Sequence, residues 1–407
     1  MNCRFCGSGL TDVFLDLGSA PPSNAFLRAA DLNAPELYFP LRLFTCMGCR
    51  LVQVDEIQKH DTLFSNDYVY FSSFSRTWLA HAQQYVEQVT RRLGLNQDSQ
   101  VMEVASNDGY LLQYVKARGI PCVGVEPTAS TASVARALGI ETVDQFFGLD
   151  FARRFGASRH PVDLLIGNNV LAHAPNLNDF VAGIAAILAP EGVATLEVPH
   201  LLRLVEQRQF DTVYHEHFSY FSFHTLRQIF LAHRLCIWDV DELSTHGGSL
   251  RVWVGRQEAA RQVLPSVAAL LAKETAAGMM TAHFYGNFQT RANAIKNDFL
   301  SFLLDCNRSR KQVVGYGAAA KGNTLLNYAG VKTDLIDYIV DASPHKQGRF
   351  LPGSHIPVVS EVRIRQSKPD FVVIFPWNLK TEITEQLGYI REWNGKFVTA
   401  VPALDVA

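Results

Sequence analysis

The sequence predicts an α/β protein in which a small cysteine-rich N-terminal domain precedes two doubly wound domains. Three observations predict it. Two Cys-x-x-Cys pairs, Cys3 with Cys6 and Cys46 with Cys49, sit in a turn-rich and aromatic-rich stretch. From residue 71 onward, short apolar strands alternate with helical patterns, as in a parallel sheet covered on both faces. After a long helical stretch, the same grammar returns in the last third of the chain. The expected units are 1–70, 71–245 and 246–407. A length of 407 residues suits two or three domains.

The first unit owes its fold to a metal. Two Cys-x-x-Cys pairs bring four thiolates together, which is the donor set of a closed, structural Zn²⁺ site. Gly7 and Gly48 let backbone amides turn toward the sulfurs. Such a site has no open position and performs no chemistry. The other three cysteines (Cys122, Cys236, Cys306) lie in apolar sequence and read as core residues.

In the second unit, TWLAHAQQYVEQVTRRLGL has helical spacing of its apolar positions. QVMEVASNDGYLLQYVKARG reads as strand, tight loop and helix. PCVGVEP and VDLLIGNNV are the next strands. LNDFVAGIAAILAPEG is expected to be a helix ended by Pro190 and Gly192, before the strand VATLEVP. The third unit is expected to open on the strand GGSLRVWV. It then continues through a strand, glycine loop and helix (KQVVGYGAAAKGNTLLNYAG) to LIDYIVDAS and PDFVVIFPWN.

Composition narrows the function. Hydrophobic residues are 48%, charged residues 19%, and the formal net charge is −2. No general attraction to nucleic acid or anionic membrane follows from that balance. There is no run of 18 apolar residues, and MNCRFCGSGL lacks the apolar core of a signal peptide. A cytoplasmic protein without nucleic-acid or membrane partners is therefore expected. The oligomeric state is left open.

Two loops compete for a nucleotide cofactor. In VMEVASNDG, a strand ends at Glu103 and is followed by the small positions Ala105 and Asn107, with Gly109 entering a helix. Glu126 ends the next strand, 23 residues on, where an acid can accept both ribose hydroxyls. The loop lacks the three glycines of a dinucleotide fingerprint. The competitor is GYGAAAKGNT at 315–324, which also opens a helix, and Asp341 ends the strand that follows. It supports the alternative of an NAD-dependent nucleotide-sugar oxidoreductase or epimerase. A zinc-ribbon nucleic-acid adaptor is a third reading, and the charge balance opposes it.

The densest chemistry lies in FDTVYHEHFSYFSFHTL, with Tyr214, His215, Glu216, His217 and Tyr220 within seven residues. A second metal site at His215 and His217 and a structural hydrogen-bond cluster are alternatives to an acid–base group. Any reaction that turns a carbon into a nucleophile needs such a group. A C–H bond is no nucleophile until a neighbouring ketone makes its proton removable by a base of near-neutral pKa.

Five segments carry a resemblance: the two Cys-x-x-Cys pairs, EVASNDG with GVEP, NNVLAH, YHEHFSYFS with HGGSLR, and GYGAAAKGNTLLN with KQG-x-x-LPG and PWNL. In this order, over nearly the whole chain, they are similar to the sugar C-methyltransferases of antibiotic deoxysugar pathways. The resemblance implies a zinc-binding domain, a central class I methyltransferase Rossmann-like domain and a C-terminal Rossmann-like, sugar-nucleotide-binding domain. It also implies S-adenosyl-L-methionine as cofactor and a thymidine-diphospho-4-keto-6-deoxy sugar as substrate, deprotonated at C-3. By motif position, His217 resembles the general base, with Tyr214 and Glu216 around the sugar. His173 resembles a group near the C-4 oxygen, and Tyr68 a substrate contact. Asn168 joins Glu103, Ala105, Asn107, Gly109 and Glu126 in the cofactor set. Asn169, Gly315, Tyr316 and Lys321 fall to the sugar or its diphosphate.

Overall fold

In the computed structural model, which describes residues 1–55 and 71–407, three sheets share out the chain. The central one has seven strands in the order Leu235–Leu243, Ser249–Arg256, Leu188–Pro199, Val162–Asn168, Val101–Val104, Cys122–Val125 and Glu141–Val143. The last five are parallel to one another, and Ser249–Arg256 runs antiparallel to both its neighbours. Short runs such as VMEV are buried on both faces, so their apolar continuity follows from helices above and below. One such cover is the helix Arg76–Leu93. Ser75 caps its first turn by accepting from the Trp78 amide (3.2 Å), and Gly94 ends it in the left-handed region. Its buried Ala82, Tyr85, Val86 and Val89 form the face that meets the sheet. Buried Glu197 fastens that helix to the strands, between Arg251 Nε at 2.9 Å and His81 Nε2 at 3.0 Å.

The C-terminal sheet runs Val358–Val359, Ile339–Val340, Val313–Tyr316, Phe371–Ile374, Lys396–Thr399, all parallel, with antiparallel Asp405–Val406 at its edge. The N-terminal sheet is antiparallel: Asp12–Ala20, Phe39–Thr45, Val52–Val54 and Ser219–Tyr220. Phe14 of this sheet stacks on Phe288 (centroids 4.9 Å apart), so the N-terminal unit shares a core with the long helix Phe288–Arg308 of the third.

Three sequence expectations change. Ser249–Arg256, expected to open the third unit, is a strand of the central sheet. Its residues Ser249 to Gly255 are buried, and only two flanking strands satisfy such a ribbon. The helix Leu177–Ile187 ends before Pro190, and Leu188 already begins the next strand. Ser219–Tyr220, from the middle of the chain, belongs to the N-terminal sheet. No described helix is long and apolar enough to cross a membrane.

Candidate active site

Strand order in the central sheet reverses between Val101–Val104 and Val162–Asn168. A crevice opens at the carboxyl ends of strands where this happens. Here it is a cavity of about 660 Å³, walled by the central domain, by the segment 212–217 and by the N-terminus of the helix Ala320–Ala329.

The central-domain wall suits an adenosine-bearing cofactor. Ala105 and Asn107 take left-handed conformations, with φ of 56° and 51°, which turn the loop backbone toward the cavity. Glu126 is held by the amides of Asn107 and Thr128, both at 2.9 Å, and burial raises its pKa. Neither polar atom of the Asn168 side chain finds a hydrogen-bond partner among the described residues, although the residue is buried. Orphaned buried amides are expensive, and a ligand in the cavity would satisfy this one. Trp78, stacked on Tyr110 at 5.9 Å, and Phe147, Phe151 and Phe180 supply the apolar surface. These groups fit S-adenosylmethionine.

Two residues of the expected cofactor set do not reach the wall. Glu103 is 1% exposed, beneath the loop. Burial drives its carboxyl well above the usual range, with Tyr110 opposing. Gly109, at φ 80°, faces the helix Ala129–Ala137, where an added Cβ would lie 2.6 Å from Ile140 Cδ1. Close packing, not ligand approach, requires glycine there.

The Tyr214–His217 segment also lines the cavity and is clamped from two sides. The amide of Val54 donates to Phe218 O (3.1 Å), and that of Phe218 to Ala172 O (2.8 Å). Tyr214 Oη and His217 Nε2 are 2.7 Å apart, and His217 Nδ1 is 3.1 Å from Thr212 O. A carbonyl only accepts, so Nδ1 carries the hydrogen. Nε2 then holds the lone pair that receives the Tyr214 hydroxyl. His173 Nδ1 likewise donates to Glu216 O (2.8 Å), and its ring lies edge-on to His217 at 4.7 Å. Burial holds His217 well below its ordinary value, helped by His173, and holds His173 down to about 4. Glu216 accepts from Asn24 Nδ2 (2.6 Å), and burial pushes it up to about 7. His215 turns away, with Nε2 3.2 Å from Phe39 O, so His215 and His217 do not converge on a metal. Tyr68 lies outside the described residues.

From the third domain, Lys321 reaches the cavity. Its Nζ donates to Asn378 Oδ1 (2.8 Å) and stands 4.5 Å over the Trp377 ring; burial lowers its pKa. Asn169 also lines the cavity. Gly315 and Tyr316 do not. Gly315 packs on Phe375 and Ile339, and Tyr316 Oη accepts from Gln386 Nε2 at 2.9 Å. The turn Phe375–Pro376 fills the space a dinucleotide would need: a Cβ on Gly317 would lie 2.4 Å from Pro376 Cδ. Asp341 is occupied by the amides of Ala318 and Ser343, both at 2.8 Å. The glycine turn at 315–317 is thus packed, which takes from the nicotinamide alternative its close backbone approach, while Ala319, Ala320 and Lys321 beyond it reach the cavity.

Sequence reasoning missed several wall residues: Asn24, Trp78, His246, Lys346 and Asn378. Four of them stood in segments already noticed, Trp78 in TWLAHAQQ, His246 in HGGSLR, Lys346 in KQG-x-x-LPG and Asn378 in PWNL, and Asn24 in none.

Burial of neutral histidines gives the fold a pH dependence. The unfolded chain protonates His173 near 6.5 and the folded one near 4. The stability this withholds is therefore lost as pH falls through that window, about 3 kcal/mol by pH 4. Glu216, at about 7, and Asp211, at about 6, act oppositely and by a comparable amount, while buried His246, also near 4, acts with His173, so the histidine's share shows as a difference between variant and wild type. Between pH 7 and pH 5 the melting temperature of the His173→Gln variant should rise relative to that of the wild type. A difference between the two that stays constant or moves the other way contradicts this.

Three family models match the chain: a zinc binding domain over residues 3–64, a methyltransferase domain over 78–235 and a C-methyltransferase C-terminal domain over 244–402. The chain is 34% identical over 407 residues to the C-methyltransferase NovU of Streptomyces niveus, covering 98% of this chain and 95% of that one. Among solved structures, magnesium protoporphyrin IX methyltransferase from Synechocystis PCC 6803 with bound SAM shares 15% identity at a TM-score of 0.33, over 44% of this chain and 81% of that chain. An S-adenosylmethionine-dependent methyltransferase from Clostridium acetobutylicum ATCC 824 shares 10% at 0.34, over 43% and 90%.

Proposed function

Because the chain belongs to the family of S-adenosylmethionine-dependent C-methyltransferases with a zinc-binding domain, it must make a carbon nucleophilic, and we propose that this carbon is C-3 of a nucleotide-linked 4-keto-6-deoxy sugar. The observation that carries the reading is the Tyr214–His217 hydrogen bond at 2.7 Å in the wall of the cavity that Asn168 also lines.

The pair acts as one base. The C-3 proton passes to the Tyr214 oxygen as the phenolic proton moves to His217 Nε2. The electrons of the broken C–H bond become the C-4 enolate. His217 begins neutral because burial disfavours its charge, so it is ready to accept at neutral pH. Thr212 O, already bonded to Nδ1–H, steadies the imidazolium that results. S-adenosylmethionine, when bound, supplies the electrophilic methyl that C-3 takes. His173, whose Nδ1–H is held by Glu216 O, suits a sugar hydroxyl better than an enolate oxygen. Glu216 suits a second hydroxyl.

The nucleotide diphosphate belongs beside the third domain. Ala319 and Ala320 bring the N-terminus of the helix Ala320–Ala329 to the cavity, with no side-chain cap, and Lys321 stands beside it. Both favour an anion.

The test is product structure. The enzyme is incubated with methyl-¹³C S-adenosylmethionine and thymidine-diphospho-4-keto-6-deoxyglucose. It should place one labelled methyl on C-3. Both C-3 and C-5 flank the ketone, so a methyl on C-5, or on oxygen, contradicts the assignment.

A further inference from the structure

The base pair of Tyr214 and His217 is held partly from outside its own domain. Asp211, 1% exposed, lies in the short turn Phe210–Thr212. Its Oδ2 accepts the indole N–H of Trp377 at 2.7 Å, and Trp377 opens the turn Trp377–Leu379 of the third domain. The residue after Asp211 is Thr212, whose carbonyl takes His217 Nδ1–H. A second tie from the third domain lies one residue further, where Thr324 Oγ1 donates to Val213 O at 2.8 Å. Neither Asp211 nor Trp377 lines the cavity.

A carboxyl group buried to this degree is costly unless it is hydrogen-bonded. Among the described residues, Trp377 is the side chain shown donating to it. Trp377 also carries Lys321 over its ring face, 4.5 Å from the centroid. One indole therefore touches the group proposed to meet the diphosphate and the turn that orients the base. A histidine offers a single lone pair only while its other nitrogen is held, so a shift of Thr212 O would let the ring change tautomer or swing.

The geometry points to Trp377 and Asp211 as positioning residues that fix the tautomer and orientation of His217 from the third domain. This rests on the reading of Tyr214–His217 as the base. The third domain then completes the base mechanically, in addition to contributing Lys321 to the cavity. Methyl transfer depends on its seating even for a substrate already bound.

The experiment uses the full-length, zinc-loaded protein. Trp377→Phe keeps a ring face under Lys321 and deletes the N–H. Asp211→Asn keeps an oxygen acceptor for the indole, and Asp211→Ala removes it. With thymidine-diphospho-4-keto-6-deoxyglucose as the probe, kcat of W377F and D211A should fall about 10- to 100-fold, the scale of one buried hydrogen bond to a charged group. KM for the probe and for S-adenosylmethionine should stay within about twofold, and D211N should recover most of the rate. In ¹⁵N-histidine NMR of the ligand-free protein, His217 should be a single Nδ1–H tautomer in the wild type and in D211N, and a mixture in W377F. A W377F enzyme with raised KM and unchanged kcat, or with unchanged kcat and tautomer, overturns the proposal. If the base reading itself fails, the wild type will not exchange the C-3 proton although its tautomer is fixed; W377F and D211N suffice if D211A does not fold.

Discussion

Replacing His217 with asparagine should lower kcat by about 10²- to 10⁴-fold, the usual contribution of a positioned general base. Tyr214→Phe should do nearly as much, because the phenol occupies the nitrogen that receives the proton. The double variant should be little worse than either single one, since groups that act as a unit do not contribute independently. Binding of S-adenosylmethionine, followed by calorimetry, should be largely retained. The groups that fit it are Asn107, Glu126, Asn168 and the aromatic wall, which stand on the central domain's loops and helices and not on the segment that carries His217. Equal loss of turnover and cofactor binding would make His217 a structural residue.

Loss of the zinc should be the second large effect, although the metal takes no part in the chemistry. All four sulfurs lie within 4.8 Å of one another, with Cys3–Cys49 at 3.6 Å and Cys6–Cys46 at 3.5 Å. The edge of a zinc–thiolate tetrahedron is about 3.8 Å. The knuckle is tied into the methyltransferase. Cys49 O accepts from Thr225 Oγ1 at 3.0 Å, and the strand Val52–Val54, just past Cys49, pairs with Ser219–Tyr220 of the catalytic segment. Structural zinc sites contribute on the order of 10 kcal/mol to the folding of the unit that holds them. Cys49→Ser, or chelation, should therefore lower the melting temperature and abolish turnover together, and zinc should restore both after chelation. Full activity in the metal-free protein would contradict this coupling.

Local signals reveal much of the site. The cysteine spacing gives the four-sulfur cluster, and VMEVASNDG gives the switch-point loop, because both are set by neighbours in sequence. The crowded YHEH run shows that chemistry is concentrated there. Which of its histidines faces the cavity does not show, because His215 and His217 diverge through contacts with Phe39 and Thr212. Gly315 and Tyr316 lie off the cavity wall because the first part of their strand–glycine–helix loop packs on the Phe375–Pro376 turn, a contact its sequence does not mark. Glu103 misled because a strand-end acid can lie under a loop as easily as on it. Asn24 and Trp377 carry no local mark. They reach Glu216 and Asp211 across 192 and 166 residues of chain, and only the assembled fold brings them together.

The account stands most directly on proton exchange. Thymidine-diphospho-4-keto-6-deoxyglucose, held in D₂O with the enzyme and S-adenosylhomocysteine in place of the methyl donor, should gain deuterium at C-3. Exchange should be abolished in H217N and Y214F. Absence of wild-type exchange in folded, zinc-loaded protein, exchange at C-5 alone, or undiminished exchange in H217N would contradict it.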